Sequence, residues 1–375
     1  MKRIIPICCF TILAAAFLTS CKKAEIAPYS EPQAEAPALP EVPYDYLSVD
    51  FPASFDSPPL NFINSISPQN PITNEGATLG RVLFYDKNLS LNKHVSCASC
   101  HSQQHAFSDT KALSTGLYGE KTSRNSMSIF NTRFSNRFFW DLRAQGVENQ
   151  VLMPIQNHVE MDMTLDSLVN RLANVDYYPP LFQDAFGSPE ITADKISKAL
   201  AQFIQSLVSY KSKYDKGYEN NFANFTQLER DGMALYNSGT INCNHCHTTV
   251  NFYTNQSLVN GLDEVYADQG LGALTGNAED NGKFKVPSLR NIAVSGPYMH
   301  DGRFKTLEEV VEHYNSGIRA HPNLDDRLAA DGTTGGPPKR YHMTDYQKKS
   351  LVAFLKTLTD YEFLYDKRFS DPFKH

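Results

Sequence analysis

The sequence of 375 residues contains no apolar run of the ~18 residues that a bilayer-spanning helix takes, which excludes a conventional span. It has no excess of basic charge. Its 35 Lys and Arg stand against 41 Asp and Glu, a formal charge of −6. That excludes a general nucleic-acid binder, which needs a basic face. Sustained apolar–polar alternation is missing as well, so half-buried strands are not the framework. Tryptophan occurs once, as Trp140. What remains, 41% apolar and 20% charged residues, is the composition of a soluble globular protein long enough for two or three cores.

Cysteine is also scarce. The seven occur at positions 8, 9, 21, 97, 100, 243 and 246. An odd number so unevenly spaced is not a disulfide framework. Three belong to the N-terminus, where Lys2 and Arg3 precede the apolar stretch from Ile4 to Leu18. That length suits a signal h-region better than a membrane anchor. Leu18-Thr19-Ser20-Cys21 resembles a bacterial lipobox. The resemblance implies a signal peptide over 1–20, export, and a lipid on Cys21, with Cys8 and Cys9 leaving with the signal. Residues 21–60 include eight prolines after Lys22 and read as a disordered tether.

From residue 61 the pattern is helical. Thr226-x-x-Glu229, Thr306-x-x-Glu309 and Thr344-x-x-Gln347 each predict a capping box that opens a helix. The chain also repeats itself. Gly80-Arg-Val-Leu-Phe84 lies before Cys97, as Gly232-Met-Ala-Leu-Tyr236 lies before Cys243. Later in each half comes one apolar stripe, Leu200, Phe203, Ile204, Leu207 and then Leu351, Phe354, Leu355, Leu358, at the spacing of a helix face. The expected fold is mainly α, with two related helical domains over 61–222 and 223–375.

The last four cysteines form Cys97-Ala-Ser-Cys100-His101 and Cys243-Asn-His-Cys246-His247. C-x-x-C-H is the attachment signature of c-type haem. Two thiols three residues apart reach the two vinyl groups of one porphyrin, and the following histidine then lies against the iron. A redox C-x-x-C pair and a four-cysteine zinc site are the alternatives. Two copies ending in His, in halves that repeat, predict two covalent haems with His101 and His247 as proximal ligands.

Further motifs occur in a fixed order: Arg124-Asn125, Phe139-Trp140-Asp141-x-Arg143-Ala144, Pro154-x3-His158-Val-Glu160-Met161, Lys285-Val-Pro-Ser-Leu-Arg-Asn291, Pro297-Tyr-Met-His-Asp-Gly302 and Thr306-Leu-Glu-Glu309. With the haem motifs, this set resembles the bacterial di-haem cytochrome c peroxidases and their MauG-like relatives over roughly residues 61–362. The resemblance implies two cytochrome c-like domains, each with one haem, and reduction of hydrogen peroxide. It implies that Glu160 is the acid–base residue beside the first haem, that Gln150 orients peroxide, and that Pro154 shapes the wall. On residue type alone Glu160 would be a solvated charge and Trp140 a core aromatic; the resemblance makes Trp140 the electron relay.

At the position of the histidine that blocks the resting iron in activation-dependent peroxidases stands Leu117, and His105 lies too close to His101 to replace it. The first haem is therefore expected to be open. The resemblance places the second ligand of the other haem at Tyr314, with Met299, Met343 and His313 as competitors. It also implies a calcium ion held by Asn125 and by the carbonyls of Ser295 and Pro297. The expected partners are peroxide, a small c-type cytochrome or cupredoxin as donor, a membrane reached only through lipid, and a second copy in a homodimer. The compartment is the periplasm. Two other functions remain as alternatives: a MauG-like enzyme that oxidises residues of a partner protein, and an electron-transfer cytochrome without catalysis.

Overall fold

The computed structural model describes residues 35–56 and 64–373; the signal segment and Cys21 lie outside them. The described residues from 36 onward form one compact unit. Its helices are α1 (Asn74–Tyr85), α2 (Val147–Gln156), α3 (Leu165–Ala173), α4 (Tyr178–Phe186), α5 (Ala193–Ser206), α6 (Lys213–Tyr218), α7 (Gln227–Tyr236), α8 (Leu271–Thr275), α9 (Leu307–Glu312), α10 (Asp345–Lys356) and α11 (Tyr361–Leu364). Strand is confined to two antiparallel pairs among the described residues. In these, β1 (Arg137–Phe138) joins β2 (Ala144–Gln145), and β3 (Ser257–Leu258) joins β4 (Phe284–Lys285). None of the helices described is long and apolar enough to cross a membrane.

All three expected capping boxes are present. Thr226, Thr306 and Thr344 accept from the backbone N–H three residues on, and Glu229, Glu309 and Gln347 reach back to the caps. Each box satisfies two N–H groups that a helix start leaves without partners.

The sequence repeat is a repeat of packing. Helix α1 crosses α5 at Gly80, where an added Cβ would lie 2.0 Å from the Ala199 carbonyl oxygen and 2.7 Å from Cβ of Phe203. Helix α7 crosses α10 at Gly232, where the corresponding distances are 1.9 Å to Ser350 and 2.8 Å to Phe354. Only a residue without a side chain lets the two backbones approach so closely. The stripes predicted on α5 and α10 supply the facing surface: Phe203 and Phe354 are fully buried. The two apolar cores grow from these crossings.

Two stretches run differently from the linear division. Residues 36–56, assigned by composition to the tether, lie against the folded body. Tyr46 is 2% exposed and its hydroxyl donates to the Arg368 carbonyl at 2.9 Å. The Ala38 N–H donates to Pro372 at 2.7 Å, and Phe51 and Phe55 pack on Phe134 and Tyr210. The difference is one of boundary, since prolines do not prevent an extended segment from docking through its aromatics. At the other end, Phe363, Leu364 and Phe369 join the first core instead of the second.

Substitution of Gly232 by Ala tests the crossing. In a helix interior this change ordinarily stabilises by roughly 1 kcal/mol. Here the clash with Ser350 reverses the sign, and thermal or denaturant unfolding should show a loss of about 1–3 kcal/mol. Gly239→Ala, with no atom within 4 Å of the added carbon, should leave stability nearly unchanged. A stabilised Gly232→Ala protein would contradict the packing argument.

Candidate functional site: two cysteine–histidine turns on one interior

Each motif folds as a short 3-10 turn, Cys97–Ser99 and Cys243–His245. In the first, the N–H groups of Cys100 and His101 both donate to the Cys97 carbonyl, at 3.2 and 3.0 Å. In the second, those of Cys246 and His247 donate to Cys243 at 3.3 and 3.0 Å. The turn brings both thiols and the imidazole together. None of the four cysteines is in a disulfide. Burial pushes the thiols of Cys97 and Cys243 up to about 12 and that of Cys246 to about 11. A redox dithiol needs the opposite shift. No group of three or more His, Cys, Asp or Glu side chains among the described residues is placed to hold a metal ion, so the four cysteines do not assemble a zinc site.

The histidines are set for iron. Nδ1 of His101 lies 2.8 Å from the Phe107 carbonyl oxygen. Nδ1 of His247 lies 3.2 Å from that of Phe252 and 3.1 Å from that of Pro287. A carbonyl can only accept, so Nδ1 carries the proton and Nε2 is left with its lone pair. Burial lowers the pKa of both rings, that of His247 to about 4, which keeps them neutral. Phe107 and Phe252 reach these positions with φ of 55° and 54°, a left-handed conformation uncommon for an aromatic residue.

The two sites open on one cavity of about 560 Å³. His101, His247, Cys243 and Cys246 line it, together with Glu160, Gln150, Pro154, Trp140, Tyr314, Asn125, Ser295 and Pro297. Cys97 and Cys100 are not in the lining, but Glu160 is near enough for its charge to oppose ionisation of both. Two thiol pairs, two imidazoles with free Nε2 atoms and a shared apolar interior fit two covalently attached haems.

Helix α2 presents Val147, Gln150 and Pro154 to the cavity, positions on one helix face. Beyond it, Asn157 ties a turn. Its carbonyl accepts from Glu160, Met161 and Asp162 at 3.0, 3.0 and 2.9 Å, and its Oδ1 accepts from Val159 N–H at 2.9 Å. The turn projects Glu160 into the interior. Glu160 is half-buried, and burial raises its pKa, opposed by the charge of Arg143.

Leu117 donates its N–H to the Val159 carbonyl at 2.9 Å, is 8% exposed, and does not line the cavity. Neighbouring Gly116 approaches so closely that a Cβ would lie 1.8 Å from the same carbonyl oxygen. His105 faces the Val294 carbonyl at 3.3 Å, and exposed His158 pairs with Asp162 at 3.2 Å; neither lines the cavity. Apart from His101 and His247, His300 is the one lining histidine among the described residues, and it is stacked on Phe284 at 3.8 Å.

Trp140 is fixed at both ends. Its Nε1–H donates to the Asn125 carbonyl at 2.9 Å, and its own carbonyl accepts from Lys285 N–H at 2.7 Å. Asn125 Nδ2 donates to Lys111 and Ala112 at 3.2 and 3.1 Å. Arg124 clamps Asp268 with two hydrogen bonds, at 2.6 and 2.8 Å, and reaches Asp141 at 2.6 Å.

Tyr314 lies in a π-helical turn, His313–Gly317, that continues α9. Such insertions re-aim side chains and recur at functional sites. Burial raises its pKa, partly offset by a hydrogen bond with Asn260. Of its competitors, Met299 and Met343 also line the cavity, whereas His313 does not and has Nε2 3.2 Å from the Asn260 carbonyl.

Sequence reasoning missed the organisers. Asn157 holds the Glu160 turn. Arg290, of the Lys285–Asn291 motif, forms a fully buried bidentate pair with Asp215 at 2.7 and 2.8 Å and so fixes the loop whose Pro287 carbonyl receives His247. A buried charge of this kind has no periodicity to announce it.

The fold and site define a c-type cytochrome with two haems. The family model for di-haem cytochrome c peroxidase matches residues 74–222. The methylamine utilization protein MauG of Methylorubrum extorquens is 35% identical, over 77% of this chain and 79% of the relative. The cytochrome c551 peroxidase of Nitrosomonas europaea is 33% identical, over 80% and 84%. A crystal structure of a MauG-like protein associated with microbial copper homeostasis is 34% identical with a TM-score of 0.75, covering 87% of this chain and 99% of that one. This chain belongs to the di-haem cytochrome c peroxidase and MauG family and carries two c-type haems.

The raised pKa of Glu160 has a consequence for stability. An acid whose folded pKa lies above its ordinary value of 4.5 costs folding energy once the pH exceeds that value, because its charge must be desolvated. Glu160→Gln should therefore melt at or above the wild-type temperature at neutral pH, with the difference vanishing below about pH 4. A variant less stable at neutral pH than at acid pH, relative to wild type, would contradict the burial argument.

Proposed function

We propose that the protein is a periplasmic di-haem peroxidase that reduces hydrogen peroxide to two water molecules with two electrons and two protons. The observation that carries this reading is a half-buried carboxyl, Glu160, lining the same interior as His101, with neither His105 nor Leu117 in the lining. A haem held by His101 would supply the site for peroxide and the electrons for cleavage of its O–O bond. Glu160 accepts the proton of the nearer peroxide oxygen and returns it to the farther one, which leaves as water; a carboxyl with a raised pKa is suited to both transfers. The Gln150 amide orients the peroxide, and Pro154 and Val147 exclude water from that wall. Trp140, held between Asn125 and Lys285, passes electrons between the haems.

The second haem would be held by His247, with Tyr314 as its other protein ligand. A phenolate stabilises the ferric state more than a thioether does, and the π-helical turn supports it over Met299 and Met343. Asn125 and the Ser295 and Pro297 carbonyls are proposed to bind calcium, an all-oxygen set that suits it. A small c-type cytochrome or cupredoxin would deliver electrons singly. Lipid on Cys21 would hold the enzyme at a membrane, and two copies would form a homodimer.

The MauG-like reading, oxidation of a residue on a partner protein, draws on Leu117 and Tyr314. Stopped-flow mixing with peroxide and then with reduced cytochrome c separates the two. Wild type should react with peroxide and then oxidise the cytochrome. Glu160→Gln, with both haems attached, should react roughly 10²–10⁴-fold more slowly. A peroxide-oxidised protein that no small donor reduces would favour protein oxidation, and no reaction with peroxide would leave only electron transfer.

A further inference from the structure

Lys285 is a buried cation that the proposed reaction does not use. It sits on β4, is 9% exposed, and lines the cavity between the two sites. Its Nζ donates to Ser135 Oγ at 2.9 Å and to the Arg137 carbonyl at 2.5 Å, and lies 5.2 Å from the centre of the Phe138 ring. All three partners are neutral. An ammonium has three N–H donors, and two are accounted for.

The lining arginines differ. Arg124 pairs with Asp141 and Asp268, Arg143 with Asp141, and Arg327 with Asp325. Among the described residues no carboxylate pairs with Lys285, and burial alone pulls its pKa down to about 7. A buried ammonium without an anion is costly, and such groups are normally paired. Each haem carries two propionate carboxylates into this interior.

We propose that Lys285 binds a haem propionate, its third N–H meeting the carboxylate at the junction of the two haem sites. Because the backbone N–H of the same residue holds the Trp140 carbonyl at 2.7 Å, the contact ties the haem edge to the segment that carries Trp140. The proposal rests on the two covalent haems and not on the peroxidase reading.

The test is spectroelectrochemical titration of both haems in the full protein, with haem content measured alongside. In Lys285→Met the uncompensated carboxylate favours the ferric state. One haem should shift about tenfold in its reduction equilibrium, about 59 mV for one electron, toward lower potential. Lys285→Arg, which keeps the charge, should restore the wild-type value. Unchanged potentials in a methionine variant that holds both haems would overturn the proposal, as would a shift that arginine fails to reverse. If the methionine variant does not load haem, the arginine variant decides. Full loading at wild-type potentials supports the pair, and equal failure shows that Lys285 only packs.

Discussion

The site turns on one hydrogen bond made twice, from Nδ1 of a histidine to a backbone carbonyl a few residues on. It fixes the tautomer, so that Nε2 of His101 and of His247 is the free nitrogen. It also fixes the ring plane, and it requires Phe107 and Phe252 to adopt positive φ. Left-handed backbone at such residues is costly and persists only where the surroundings over-determine it. The surroundings do so: both phenylalanines are buried at 3% exposure or less, Phe107 against Phe84 and Phe363, Phe252 against Tyr214, Tyr236 and Phe354. The glycine crossings bring those aromatic walls into place, so the helix packing and the ligand geometry are one construction.

Beside the apolar return of Phe363, Leu364 and Phe369 to the first core, polar contacts join the two halves. The Arg124 clamp on Asp268 and the contacts of Lys285 with Ser135, Arg137 and the Trp140 carbonyl cross from one half to the other. Bonds of this type inside a low-dielectric interior are directional and expensive to break. With the bond from Trp140 Nε1–H to the Asn125 carbonyl, they hold Trp140 in one orientation. The surroundings of Glu160 have a different character, with a half-buried carboxyl presented by a loop that Asn157 ties from within.

Much of this was legible in the sequence because it is local. The capping boxes at Thr226, Thr306 and Thr344 use four consecutive residues, and the C-x-x-C-H turns use five. The Gly80 and Gly232 segments mark the halves as a repeat, and the structure adds that each glycine sits at a close helix crossing. What could not be read depends on residues far apart in the chain. The docking of Tyr46 on Arg368, the return of Phe363 and Phe369 to the first core, and the Arg290–Asp215 pair join segments with no shared pattern. Lys285 opens the Lys285–Asn291 motif, yet only the lack of a paired carboxylate among the described residues marks it out, and that is a property of the fold. Leu117 is visible in the sequence as a leucine, but its backbone contact with Val159, beside Glu160, appears only in three dimensions.

The account divides the labour between an open first iron and a second iron with two protein ligands. Electron paramagnetic resonance of the resting diferric protein tests that division most directly. It should show a high-spin ferric signal from the haem of His101, separate from the signal of the haem of His247. A first haem that is wholly low-spin would mean that a protein side chain already occupies the peroxide position, and the account would be wrong.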